Sequence, residues 1–284
     1  MIIWLASYPK SGNTWVRSFL SSLLYSKDGR ADLNSIHISQ YPLTDHFKGL
    51  TNEFENINVL SEKWILSQDL LNLDNKIKFF KTHHVMCNFG KNSFTNYKNT
   101  FGVIYIVRDP RNVITSILNY YSKKNYEEAK EFLFDERKII GVDLSKKYEN
   151  IGSSNIITLI SSWKTHYNSW KNFKKNYLLI KYENLISNPN EEFKKISEFL
   201  SKLMNIKIQE DKIMMAIENN TFENLKKIEE KDGFAEAIKD LKTGKTKNFF
   251  NLGPRNNWQE KLDIEIKQSI EEKFEIEMRE LGYL

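Results

Sequence analysis

Short apolar runs alternate with helix-patterned stretches along most of this chain, and that alternation constrains the fold more than any other feature. Residues 2–7, 77–82, 101–108 and 177–182 are each short, apolar or aromatic, and rich in residues favoured in strands. Helical spacing separates them. Between residues 14 and 24 the apolar side chains are Val16, Phe19, Leu20, Leu23 and Leu24, which form one face of a helix. Residues 110–121 predict a second helix, with Asp109 in the capping position and Pro110 as its first residue. Residues 156–173 predict a longer helix with Trp163, Tyr167 and Trp170 on one stripe, and Pro189 opens another that runs to about residue 203.

Strands alternating with helices imply βαβ units, hence an α/β three-layer sandwich with a central parallel sheet and helices on both faces. Ligands of such sheets bind where strand ends turn into helices. Two stretches resist the pattern. Residues 122–154 are a polar, Lys/Glu-rich insertion with mixed helical signals. Residues 231–257 hold Gly233, Gly244, Gly253 and Pro254 with weak periodicity, and read as a loop or lid expected to order around a ligand. Residues 1–284 read as a single domain with both excursions on its ligand-facing side.

Composition narrows the partners. Lys and Arg (42) are interleaved with Asp and Glu (37), and the net charge is +5, which suits a basic pocket for a small anion. A nucleic-acid-binding face would show clustered basic stretches, and none stands out. A lone cysteine, Cys87, excludes an intrachain disulfide and a Cys-based metal site, and the five histidines do not fall at zinc-site spacings. The opening apolar run is shorter than a signal peptide and lacks a basic leader, and no segment approaches the length of a membrane span. A reducing cytoplasm is the expected compartment.

The junction between the first strand and first helix reads YPKSGNT, residues 8–14. A glycine bend there exposes backbone N–H groups at a helix N-terminus, where unpaired donors and the helix dipole both favour an anion. Lys10 adds a full charge; Ser11, Asn13 and Thr14 add side-chain donors. The same residues also suit a plain strand-to-helix turn whose polar side chains cap the helix. The segment is not a Walker A loop, because Lys10 precedes Gly12 and no earlier glycine occurs. Two further segments carry candidate chemistry. In KFFKTHH, strand alternation puts Lys81 and His83 on one face. In YIVRDPRNVITSILNYY, Arg108 closes a strand and Ser116 falls about two turns into the next helix.

Together these segments resemble the sulfotransferase family of cytosolic type. YPKSGNTW is similar to its 5′-phosphosulfate loop, usually YPKSGTTW, and KTH at residues 81–83 to its catalytic-histidine segment. Arg108 and Ser116 match its 3′-phosphate motif, KYENLISNP at residues 181–189 its Y-E-D/N-L turn, and NNTFENLKKIE at residues 219–229 its adenine-side segment. The matches keep the family's order along nearly the whole chain. The family's R-K-G-x-x-G-D-W aligns with NLGPRNNW, residues 251–258, so Gly253 and Trp258 remain and the Arg–Lys pair does not. Arg255 stands nearby as a replacement for one of those charges. The residues after Trp258 do not reproduce the family's dimer motif, which leaves the oligomeric state undecided.

The resemblance implies a donor, 3′-phosphoadenosine 5′-phosphosulfate, a product, adenosine 3′,5′-bisphosphate, and no metal. It implies sulfuryl transfer to a hydroxyl or amine of a small-molecule acceptor by in-line displacement. Lys10 would meet charge on the departing phosphate, with Ser11, Gly12, Asn13 and Thr14 around the 5′-phosphate. Lys81 would stabilise the sulfuryl oxygens, and His83 would act as general base. Arg108 and Ser116 would hold the 3′-phosphate, Trp15 and Phe222 would stack on adenine, and Tyr182 would bond its edge. The acceptor loops, residues 28–60, 87–99 and 121–154, show no pattern that reveals a substrate. Two rivals stay open: a nucleotide kinase-like P-loop enzyme, and a non-catalytic nucleotide-binding protein of the same fold.

Overall fold

The structure, a computed structural model, describes residues 1–142, 156–239 and 246–284. Part of the polar insertion and the middle of the glycine-punctuated stretch therefore lie outside the described residues. Five strands form one sheet: β1 (Ile2–Ser7), β2 (Ser39–Gln40), β3 (Lys78–Thr82), β4 (Thr100–Val107) and β5 (Tyr177–Lys181), in the order β2-β3-β1-β4-β5. β1 runs parallel to β3, with Trp4 opposite Phe80 and Leu5 opposite Lys81, and β2 runs parallel to β3. This is the α/β parallel sheet that the alternation predicts. Helices α1 (Asn13–Tyr25), α2 (Pro110–Tyr120), α3 (Trp163–Lys171), α4 (Tyr182–Ser187), α5 (Pro189–Met204), α6 (Glu210–Asn219) and α7 (Phe222–Asp232) follow in chain order. No helix among the described residues is long and apolar enough to cross a membrane.

The chain divides into two compact units. The first holds Met1–Tyr8, Ser39–Tyr105 and Phe134–Leu179. Its core is an aromatic cluster around Trp4, whose ring lies 5.3 Å from Tyr41 and 5.7 Å from Phe94 and whose Nε1 donates to Thr100 Oγ1 at 2.9 Å. The second unit holds Pro9–Ile38, Ile106–Leu133 and Ile180–Leu284. There Phe19 stacks on Phe193 at 4.1 Å, and Asn220 ties α6 to α1 by accepting from Ser18 and donating to Ser22. A buried amide satisfied on both ends fixes the helix pair in one register, which apolar contact alone does not.

Two expectations need correction. Residues 156–173 are not one helix: Thr158–Leu159 pairs antiparallel with Ile139–Ile140, and α3 starts only at Trp163. The run IITLI is β-branched and buried, which favours a strand; Ser161 then turns with φ 58°, and Ser162 caps α3 by accepting from Thr165 N. The strand placed at residues 177–182 stops at Lys181, because Tyr182 opens α4. The second strand of the sheet, Ser39–Gln40, is two polar residues long and has no sequence signal.

Candidate active site

The residues expected around phosphates lie in the second unit. Lys10 adopts φ 68° and Gly12 φ 96°, so the backbone between β1 and α1 bends through the left-handed region twice. Glycine at position 12 is required on a second ground. A Cβ there would sit 2.4 Å from Tyr182 Cδ2, so the loop packs directly on that ring. α1 begins at Asn13 with no side chain capping its first N–H groups. Ser11 Oγ is buried with no hydrogen-bond partner among the described residues. A buried hydroxyl left in that condition beside an uncapped helix start fits an anion-binding loop.

Two cations, Lys10 and Arg108, meet rings, a carbonyl and a hydroxyl at this loop. The Lys10 ammonium lies over the Tyr120 ring (3.7 Å) and the Phe249 ring (4.3 Å). Arg108, one residue past β4, donates from Nη1 to Lys10 O (3.0 Å) and Ser116 Oγ (3.2 Å), with its guanidinium over the Tyr182 ring at 4.2 Å. Burial pushes the Tyr182 phenol up, and Arg108 only partly opposes it. Asp109 caps α2, as expected, by accepting from Arg111 N at 2.8 Å.

Several acids hold this arrangement that sequence reading did not single out. Glu183 accepts from Asp109 N (2.9 Å) and from Tyr283 Oη (2.8 Å), and burial pushes its carboxyl up. The acid of the Y-E-N turn thus anchors the backbone beside Arg108. Glu236 accepts from Thr14 Oγ1 at 3.1 Å and pairs with Arg17 at 2.5 Å, and with burial it pushes the Tyr120 phenol up to about 12. Glu229 accepts from Phe249 N and Phe250 N, which fixes the aromatic ring on Lys10. Glu236 sits among ordinary surface charges in the sequence, so no pattern marks it, whereas Glu229 closes the segment at residues 219–229.

Trp15 is buried, donates from Nε1 to Asn220 O at 2.6 Å, and meets Tyr182, Phe193 and Phe222 edge-on. Phe222 opens α7 and packs against Gly253, where a Cβ would lie 2.1 Å from its ring. Arg255 is exposed on the turn Gly253–Arg255, whereas the next residue, Asn256, is buried. Asn256 accepts from Thr115 Oγ1 (2.8 Å) and donates to Asn112 O (3.1 Å) and Ser116 Oγ (3.3 Å). Trp258 is faced by the Arg111 guanidinium at 4.0 Å.

His83 and Lys81 belong to the first unit. β3 ends at Thr82, so His83 is the first residue past the strand. Its Nδ1 lies 2.7 Å from Ser7 O and 3.3 Å from Ser7 Oγ. A carbonyl can only accept, so in the neutral ring Nδ1 carries the proton and the lone pair is on Nε2. α3 then clamps the following backbone. His166 Nε2 donates to His83 O (3.1 Å), Trp170 Nε1 donates to His84 O (2.9 Å), and Met86 N donates to Ser169 Oγ (3.1 Å). Tyr105 Oη in turn donates to His166 Nδ1 at 2.8 Å. Burial drives His166 and His84 to about 3, so both stay neutral. Lys81 is buried in β3, its carbonyl accepting from Tyr41 N at 2.8 Å.

The family model described as Sulfotransferase domain matches residues 2–282. Cytosolic sulfotransferase 7 of Arabidopsis thaliana is 26% identical over 279 residues, which is 95% of this chain and 78% of that protein. Sulfotransferase 2A1 of Macaca fascicularis is 21% identical over 98% of this chain and 84% of its own length. Among solved structures, mouse sulfotransferase SULT7A1 complexed with PAP aligns over 98% of this chain and 84% of its own, with TM-score 0.58 and 20% identity. Retinol dehydratase in complex with androsterone and inactive cofactor PAP aligns over 98% of this chain and 80% of its own, with TM-score 0.57 and 16% identity. These structural likenesses bear on the fold.

Proposed function

The chain belongs to the sulfotransferase domain family, and from that premise we propose that it moves the sulfuryl group of 3′-phosphoadenosine 5′-phosphosulfate to a hydroxyl or amine of a small-molecule acceptor. Adenosine 3′,5′-bisphosphate is the second product. The observation that carries the reading is the junction before α1: a buried, unpartnered Ser11 hydroxyl at an uncapped helix start, beside Lys10 and Arg108. Such a junction fits a phosphate better than a plain turn, which would spend its donors internally.

The donor supplies a sulfuryl group already joined to a good leaving group. The N–H groups opening α1, with Ser11, Gly12, Asn13 and Thr14, bind the 5′-phosphate. Lys10 meets the charge left on the phosphate oxygen as the sulfur–oxygen bond breaks, and Lys81 stabilises the sulfuryl oxygens. His83 Nε2 takes the proton of the acceptor as the acceptor atom bonds to sulfur. Its opposite nitrogen, held by the Ser7 carbonyl, keeps the ring in the tautomer that can do so. Arg108 and Ser116 bind the 3′-phosphate, Trp15 and Phe222 flank the adenine, and Tyr182 meets its edge. Gly253 gives the Phe222 ring the room it needs. In-line displacement of this kind rests on positioning and charge stabilisation, and the reading calls for no metal ion.

Thermal shift tests the donor site directly. Adenosine 3′,5′-bisphosphate should raise Tm well beyond AMP or magnesium ATP at equal concentration, by ligand linkage. Equal shifts from all three would remove the case for this donor, and a shift with ATP alone would favour a kinase-like enzyme. Transfer of labelled sulfate from the donor to a panel of alcohols, phenols and amines then separates an enzyme from a binding protein.

A further inference from the structure

We propose that Asn256 is a ligand of the 3′-phosphate, completing with a neutral amide the subsite that Arg108 and Ser116 begin. The inference rests on the donor proposed above. Asn256 is buried although Arg255 before it is exposed, because the turn Gly253–Arg255 closes with Asn256 N donating to Gly253 O. Its amide orientation is determined by its neighbours. Asn112 O can only accept, so the NH2 end faces it at 3.1 Å, and Oδ1 is left 2.8 Å from Thr115 Oγ1, which lies equally close to Asn112 O. The NH2 end therefore points at Ser116 Oγ as well.

Ser116 Oγ is where donors converge. It receives Arg108 Nη1 at 3.2 Å and Asn256 Nδ2 at 3.3 Å, and its own proton is directed to Asn112 O at 3.3 Å. All three contacts are at the long end of the hydrogen-bond range, whereas charge-assisted bonds to an anion settle at about 2.7–2.9 Å. A guanidinium N–H, an amide N–H and a hydroxyl brought to one point are a donor set matched to an anionic oxygen. Of the nearby carboxylates, Asp109 is paired with Arg111, whereas Glu183, held by Asp109 N and Tyr283, also feels the Arg108 charge. The amide also contributes without adding charge. The subsite thus compensates in part for the Arg–Lys pair that residues 251 and 252 lack.

Calorimetry with adenosine 3′,5′-bisphosphate and with AMP tests this on the full chain. Asn256→Asp keeps size and the bond from Thr115 but sets a carboxylate against the phosphate. It should weaken bisphosphate binding about tenfold or more and leave AMP within about twofold; Asn256→Ala should show the same selectivity with a smaller loss. In the unmodified protein the Asn256 side-chain NH2 resonances should shift with the bisphosphate and not with AMP, a readout independent of how the variants fold. Variants that bind the bisphosphate as well as the parent, or lose both nucleotides equally, together with an unmoved resonance, would reduce Asn256 to a brace for the turn. A parent protein that does not prefer the bisphosphate over AMP would instead overturn the donor assignment, and this proposal with it.

Discussion

The histidine segment of the first unit and the loop before α1 in the second are built on opposite principles. Around His83 and the backbone after it, neutral hydrogen bonds fix one geometry: Ser7 O on Nδ1, His166 on its carbonyl, Trp170 and Ser169 on the next backbone groups. Around the loop, cations meet rings, a carbonyl and a hydroxyl, with the Glu183 carboxylate within electrostatic reach of Arg108. Lys10 rests on two aromatic rings, and Arg108 on a carbonyl, a hydroxyl and a ring. A general base gains from being fixed in one tautomer and orientation, because misplacement costs rate directly. A cation meant for a ligand gains from partners weak enough to be exchanged for phosphate. Pre-organisation dominates the first region and exchangeability the second.

Deleting the groups proposed to act in transfer should produce the largest effects and break the comparison most directly. His83→Ala should lower kcat by roughly two to four decades on an aliphatic alcohol, with bisphosphate affinity nearly unchanged. Lys10→Ala should lower kcat comparably and also weaken the bisphosphate, since the same ammonium meets the phosphate before and during transfer. Near-normal turnover of the His83 variant on such an alcohol would remove it from the reaction. Phenols are a poorer test because they ionise more readily.

The clamp on the histidine comes next in size. His166→Phe removes the donor to His83 O and the acceptor for Tyr105 while keeping a buried ring. A positioning role predicts a drop in kcat on the order of tenfold with KM and bisphosphate affinity unmoved, because only the base has shifted. A loss shared equally by kcat and affinity, tracking Tm, would show that His166 serves packing alone.

That neutral clamp should also set acid stability. An unfolded histidine takes a proton near its ordinary 6.5, whereas the buried rings of His84 and His166 hold out to about 3. Between those values the unfolded chain binds more protons, so stability present above pH 6.5 is lost as pH falls. At pH 5 the loss is about 2 kcal/mol for each ring, at roughly 1.4 kcal/mol per pH unit. Buried His46, held down to about 4, adds a similar loss, so denaturant melts from pH 7.5 to 5 should show the decline and His166→Phe should flatten it by about a third. An unchanged slope in that variant would place the acid sensitivity elsewhere.

How far all this was legible in the sequence depends on what each feature needed. Strands β1, β3 and β4 announce themselves as apolar runs, and Asp109–Pro110 marks the start of α2 by local chemistry alone. The stretch before α3 misleads because its apolar residues continue the spacing of Trp163, Tyr167 and Trp170, and periodicity does not weigh β-branching against it. Lys10, Gly12, Arg108 and Ser116 are readable because a charge or a glycine at a strand end carries its own signal, and the structure brings Arg108 onto both the loop and Ser116. The left-handed conformation of Lys10 is not readable, nor are Glu236, His166 and Asn256. Each takes its meaning from a partner distant in the chain, such as Asn112 and Thr115 for Asn256.

Arg255 and Asn256 give the finest test of that distinction, since charge makes the first conspicuous in sequence and burial makes the second conspicuous in the structure. Arg255 was the natural candidate to replace the missing Arg–Lys pair, yet it is exposed. An exposed guanidinium near a phosphate is screened by water and salt and contributes about 0.2–1 kcal/mol, so Arg255→Ala should weaken the bisphosphate by no more than about fivefold. The effect should fade between roughly 50 and 300 mM salt, where the screening length shortens. Asn256→Ala should by contrast be nearly indifferent to salt, because a neutral amide contributes by geometry. Should Arg255→Ala instead cost two decades at high salt, the turn must bring that side chain out of water on binding. The charge seen first in the sequence would then outrank the buried amide as the determinant of 3′-phosphate recognition.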